Sequence, residues 1–172
     1  CVKDSILTFD IKREKITVDP VPYYGVVADG VGYIGLTTFN EKSYTKVREA
    51  LEKMKAENGI NSVILDLRSN GGGLMESAIQ IVGIFVDKGT EVLVTRGKGD
   101  MNNKVYKTTV KPVDTKIPVA ILIDESSASS SEIVTGAMQD LDRAVIVGNR
   151  SYGKGLVQST RQIPYDGLLK VT

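Results

Sequence analysis

Two short apolar runs set the limits on what this chain can fold into. Ser62 to Leu67 (SVILDL) and Ile117 to Asp124 (IPVAILID) have the character expected of strands buried in a parallel sheet. Each leads into a turn and then a helical pattern. After the first come Arg68-Ser69-Asn70-Gly71-Gly72-Gly73 and a helix predicted over Leu74 to Val86, carrying Leu74, Ala78, Ile81, Val82 and Phe85. After the second come a serine cluster and a helix predicted over Ser131 to Leu141. Strands alternating with helices imply an α/β layer structure, with β-hairpins attached at both ends.

The flanking segments supply those hairpins. Tyr23 to Ala28 and Val31 to Phe39 surround Asp29-Gly30, a strong two-residue turn signal. Asn40 then suits a helix N-cap, and Tyr44, Val47, Leu51 and Met54 recur at helical spacing until Asn58-Gly59 provides a stop. Ser5 to Val18, closed by Asp19-Pro20, reads as one long or bent strand. Thr90 to Thr95 and Lys104 to Val110 read as strands around the polar turn Gly97 to Asn103, and Ala144 to Val147 as a further strand. Leu156 to Ile163 and Leu168 to Thr172 form a last hairpin across Pro164-Tyr165-Asp166-Gly167. The 172 residues fit a single domain, 1–172, with residues 1–30 leading into its core. A chain that stops inside a predicted strand at Thr172 is expected to continue in the natural protein.

Charge and composition exclude several functions. Twenty-two basic against twenty-one acidic residues, for a net charge of +1, argue against nucleic acid as a partner. The apolar runs are too short for a membrane span. With one cysteine and no histidine the usual zinc ligand sets are missing, so neither a metal nor another cofactor is expected. Cys1 has two readings, a lipidated start or a fragment boundary, and the second is the simpler.

The absence of histidine also narrows the chemistry. A serine hydroxyl is a poor nucleophile until a nearby base takes its proton. Ser-His-Asp is excluded, whereas Ser-Lys remains open. Ser127-Ala128-Ser129-Ser130-Ser131-Glu132 lies at a strand-to-helix junction, where a nucleophile is exposed and the next residue's N–H points to the same place. Lys154, between Gly153 and Gly155, is the available base. The three glycines 71–73 mark a second strand-to-helix turn able to present N–H groups to an anion. Each feature alone has a plainer reading, as helix cap, solvated loop or tight turn. Gly148 to Lys154 also matches the first seven positions of a P-loop, but Gly155 replaces its Ser or Thr and a strand follows, so nucleotide binding is not expected.

Taken in order, Asp66-Leu67-Arg68-Ser69-Asn70-Gly71-Gly72-Gly73, Ser127 to Val134 and Gly153-Lys154-Gly155-Leu156-Val157-Gln158 resemble the carboxyl-terminal processing, or tail-specific, serine proteases. The resemblance spans roughly Gly32 to Thr172. It implies Ser129 as nucleophile, Lys154 as general base and Gln158 as the residue that orients the lysine. It implies an oxyanion hole from the N–H of Ser130 and one glycine, Gly72 or alternatively Gly71. It further implies a Clp peptidase/crotonase-like core of stacked ββα units and protein or peptide substrates bound by their carboxyl-terminal regions. An exported protein of the bacterial periplasm or envelope is expected on the same ground. Family members typically carry a PDZ domain, which residues 1–30 are too short to form, so the chain is read as the protease core.

As a base, Lys154 must be neutral. Bringing a lysine from about 10.4 to about 7–8 takes roughly 4 kcal/mol of preference for the uncharged form, and hence burial. Tyr152, Leu156 and Val157 are the expected apolar wall, with Gln158 adding a hydrogen bond but no charge. Ser127 and Ser131 are expected to serve only turns and caps, worth about 1 kcal/mol each. A hydrogen bond between Ser129 Oγ and Lys154 Nζ would mark an assembled dyad. The rival readings are a dormant or non-catalytic substrate-binding scaffold and crotonase-like thioester chemistry, which has no use for a Ser-Lys pair.

Overall fold

The computed structural model describes residues 8–12, 14, 18–97 and 103–172. Its first hairpin pairs β1 (Tyr23–Ala28) with β2 (Val31–Gly35) across Asp29-Gly30. Gly30 supplies the positive φ of 67° that this turn requires. The chain leaves β2 earlier than predicted, and Phe39 keeps only an isolated bridge to Gly73. Helix α1 (Ser43–Asn58) follows, and its first turn is fastened by Asn40, whose Oδ1 accepts the Lys42 N–H. Gly59, left-handed at φ 62°, closes it through an N–H donated to Lys55 O.

The remaining parallel strands are β3 (Ser62–Asp66), β6 (Val119–Ile123) and β7 (Val145–Gly148). Together with the first hairpin they form a five-stranded sheet in the order β1-β2-β3-β6-β7, antiparallel only at β1-β2. Helices α2 (Met75–Phe85) and α3 (Ser130–Asp140) follow β3 and β6. Two further hairpins, β4 (Glu91–Thr95) with β5 (Lys104–Lys107) and β8 (Ser159–Ile163) with β9 (Gly167–Val171), stand as separate two-stranded sheets. The predicted strand over Ser5 to Val18 lies partly outside the described residues; positions 8–12, 14 and 18 are exposed and not in a strand.

One face of the sheet carries the core. Ile34, Val63, Leu65, Val119 and Ile121 alternate inward against Val47, Leu51 and Met54 of α1, Ile81, Val82 and Phe85 of α2, and Val134 and Met138 of α3. On the other face Tyr33, Ile64 and Leu122 are only half-buried, so β3 and β6 alternate rather than being buried on both sides. Leu74, counted with the helix face in the sequence, is instead 47% exposed. Gly148 has a structural obligation: at φ 129° a Cβ there would lie 1.9 Å from the Ile123 carbonyl oxygen.

Because β3, β6 and β7 are parallel neighbours, the turns after their carboxyl ends lie side by side. Those turns are Arg68 to Gly73, Asp124 to Ser129 and Asn149 to Gln158. The topology thus gathers three segments from across the sequence at one sheet edge.

Candidate active site

The turns are fastened to one another by buried polar groups. Asn70, fully buried, donates Nδ2 to Leu36 O (2.8 Å), accepts the Gly72 N–H at Oδ1 (2.9 Å), and accepts both Ala128 N–H and Ser131 Oγ at its carbonyl. Ser127 Oγ donates to Leu67 O (2.8 Å) and accepts the Asp124 N–H (3.0 Å). Asp124 in turn accepts the N–H and hydroxyl of Ser69 and the N–H of Ser126. The Tyr152 N–H reaches Ser127 O, tying the third turn to the second. Asp66, beneath the glycine turn, accepts a bidentate pair from Arg68 and a 2.7 Å bond from Tyr33 Oη. Burial pushes the Asp66 carboxyl up, but Arg68 and Tyr33 outweigh it and hold it below its ordinary value.

Ser127 and Ser131 are therefore more than local caps. Both are fully buried and bridge separate segments. Ser127→Ala orphans the Asp124 amide and leaves the Leu67 carbonyl with the Asn70 N–H alone, so urea unfolding should show a loss of about 1–3 kcal/mol rather than about 1. A loss under about 0.5 kcal/mol would show that the bridge is dispensable.

Ser129 stands at the N-cap of α3 with φ 57° and ψ −110°, a conformation strained for a residue with a Cβ. The Ser130 amide, next in line, donates to no protein acceptor among the described residues. Gly72 makes the approach to that amide possible: at φ 98°, a Cβ there would sit 2.9 Å from Ser130 N and 2.8 Å from Ser129 Cβ. Ser129, Ser130, Lys154 and Gln158 line one cleft of about 810 Å³, together with Gly71 and Gly73 and with Leu93 to Gly97 of the β4 segment.

Not every expected contact is present. No hydrogen bond joins Lys154 Nζ to Ser129 Oγ among the described residues, and Gln158 donates Nε2 to Thr172 Oγ1 (3.1 Å) rather than to the lysine. Of the proposed apolar wall, Leu156 and Val157 line the cleft but stay largely exposed, while Tyr152 is 69% exposed and lies outside it. The reason is that the chain from Tyr152 to Gln158 carries no regular structure, with β8 starting only at Ser159. Lys154 is half-buried. The Gly72 amide is spent on Asn70 and Gly72 does not line the cleft, whereas Gly71 and Gly73 do.

Glu132 received no role from the sequence, and it is the most heavily bonded of the side chains that line the cleft. Its carboxylate accepts the N–H groups of Ser129 (2.7 Å), Gly153 (2.6 Å) and Lys154 (3.1 Å) and the Ser151 hydroxyl (2.9 Å). Burial raises its pKa, but these donors outweigh the burial and leave it below the ordinary glutamate value. The spacing Ser129-x-x-Glu132 is the pattern of a capping box, the signal that could have drawn attention to it.

The depressed carboxylates fix a pH dependence. Asp66, Asp124 and Glu132 lie below their ordinary values, and Asp114, bonded by Lys55 and by the Lys116 and Ile117 amides, lies at about 2. A lowered folded pKa gives stability that is complete above the unfolded value of about 4 and is lost as pH falls through the folded one. Urea midpoints should be flat between pH 7 and 5 and fall steadily below pH 4; a midpoint that held at pH 3 would contradict these hydrogen bonds.

Comparison with known proteins identifies the family. The family model for Peptidase family S41 matches residues 30–172, and the chain belongs to that family. It is 36% identical over 170 residues to "Carboxyl-terminal-processing peptidase 2, chloroplastic" of Arabidopsis thaliana, covering 94% of this chain and 32% of that protein. It is 37% identical over 163 residues to a "Probable CtpA-like serine protease" of Staphylococcus haemolyticus, with the same coverages. The chain thus spans about a third of the length of these curated relatives. Among solved structures, the photosystem II D1 C-terminal processing protease superposes with a TM-score of 0.76 at 28% identity, over 93% of this chain and 44% of that one. The tricorn protease shares the fold at a TM-score of 0.51 and 18% identity, over 82% of this chain and 13% of that one. The fold is of the Clp peptidase/crotonase-like class, as the resemblance implied.

Proposed function

We infer that the protein is a serine endopeptidase that cleaves protein substrates near their carboxyl termini through a Ser129-Lys154 dyad. The observation that carries this reading is the strained Ser129 beside the unbonded Ser130 amide, in the same cleft as Lys154. Neutral Lys154 takes the Ser129 proton, Ser129 Oγ attacks the scissile carbonyl, and the acyl-enzyme is then hydrolysed by water. The developing oxyanion is held by the Ser130 amide and a glycine amide of the 71–73 turn. Gly71 suits that second place better than Gly72, since its amide has no protein acceptor among the described residues. Gln158 orients the lysine once it is released from Thr172.

Catalytic hydrogen bonds are commonly long before substrate binds, and Lys154, flanked by two glycines, lines the same cleft as Ser129. The substrates are proteins or peptides bound by their carboxyl-terminal regions, and the protein acts outside the cytoplasm. No helix among the described residues is long and apolar enough to cross a membrane. The chain is the proteolytic core, and full activity needs the remainder of the protein, including a PDZ domain. A fluorophosphonate probe should modify the complete protein at Ser129, located by peptide mass spectrometry. Modification at Ser126 or Ser127 instead, or none in a preparation that cleaves peptides, would overturn the assignment.

A further inference from the structure

We propose that Glu132 is a positioning residue whose carboxylate sets the distance between nucleophile and base by holding both of their backbones, without itself touching either reacting atom. The proposal rests on the dyad reading above. An ionised carboxylate is an acceptor only, with about four lone-pair directions, and here four donors occupy it. Oε2 takes the N–H of the nucleophile Ser129 and that of the base Lys154, so a single oxygen bridges the two residues of the dyad. Oε1 takes Gly153 N–H and Ser151 Oγ, fixing the loop on the amino-terminal side of the lysine.

No other side chain among the described residues does this. Among the described residues the lysine loop from Ser151 to Gly155 has no further side-chain acceptor, and its flanking glycines 153 and 155 adopt φ of 83° and 49°, leaving the segment little stiffness of its own. The position also solves an electrostatic problem. An acid near Lys154 would ordinarily favour the charged amine, but Glu132 makes no ion pair with Nζ and spends its charge on three amides, one of them at the N-terminus of α3, where an anion is stabilised.

A neutral glutamine cannot substitute. Its Oε1 can serve two donors, while its NH2 group faces the other two donor against donor, so one half of the latch must open. Misplacement of a catalytic group by about 1 Å can cost about 10²-fold in rate. In the complete protein, Glu132→Gln should therefore lower kcat about 100-fold with KM changed less than about threefold. Ser151→Ala, which keeps three of the donors, should fall between wild type and Glu132→Gln. Amide hydrogen exchange provides a readout independent of the chemistry: Gly153 and Lys154 should exchange at least about tenfold faster in Glu132→Gln, with Val134 to Met138 of α3 unchanged.

A Glu132→Gln enzyme with near-normal kcat, or with unchanged exchange at Gly153 and Lys154, overturns the latch. Equal acceleration throughout α3 also overturns it, reducing Glu132 to a helix cap. If Glu132→Gln does not fold, Ser151→Ala decides by the same exchange measurement. Should Ser129→Ala remain active, the dyad reading fails separately, and exchange alone judges whether Glu132 holds the loop.

Discussion

Ser129→Ala is expected to lower kcat/KM for peptide cleavage by about 10⁴-fold or more while the protein stays folded. Removing the nucleophile of an acyl-transfer enzyme leaves only binding and oxyanion stabilisation, which explains both the size of the loss and the small residual rate. The hydroxyl stands at the N-cap of α3, so alanine should cost about 1 kcal/mol, or about 2–4 °C in melting temperature. Ser129 and Ser127 are two residues apart, yet their alanine variants should fail differently, one in chemistry and the other mainly in stability. Substantial cleavage by a folded Ser129→Ala protein would refute the nucleophile.

The second large effect is at Lys154. Lys154→Arg keeps a positive charge and a long apolar stem, but guanidinium does not deprotonate in proteins and cannot act as base. Loss of a general base costs about 10²–10⁴-fold, and the arginine variant should fall in that range or below it. Near-normal turnover by Lys154→Arg would make the lysine an electrostatic or structural element and the mechanism wrong.

What the sequence revealed about the site tracks how local each determinant is. The α1 stop at Gly59, the β1-β2 turn at Gly30 and the strands before both junctions were readable because two or three neighbouring residues determine them. Ser129, Lys154 and Gln158 were singled out through the family resemblance of their motifs, and the parallel order of β3, β6 and β7 places their segments at one cleft. Contacts between segments were not readable. Glu132 meets Gly153 and Lys154 across 21 and 22 residues of chain, and no short-range pattern encodes that meeting. The same holds for Asn70, whose neighbours are Leu36, Ala128 and Ser131. The apolar wall failed for the converse reason: Tyr152, Leu156 and Val157 are adjacent to the lysine in sequence, but the irregular backbone between them does not turn them all toward it.

On the proposed mechanism, the positive φ of Ser129 makes stability and activity competitors at a single residue. A side chain held in that region costs about 1–3 kcal/mol, which the Asn70 and Ser131 bonds and the packed start of α3 must offset. Glycine would relieve the strain without loss of backbone geometry, so the most comfortable residue at this position is one that cannot attack a peptide bond. Selection for a more durable fold alone would therefore favour a residue without a hydroxyl at this turn.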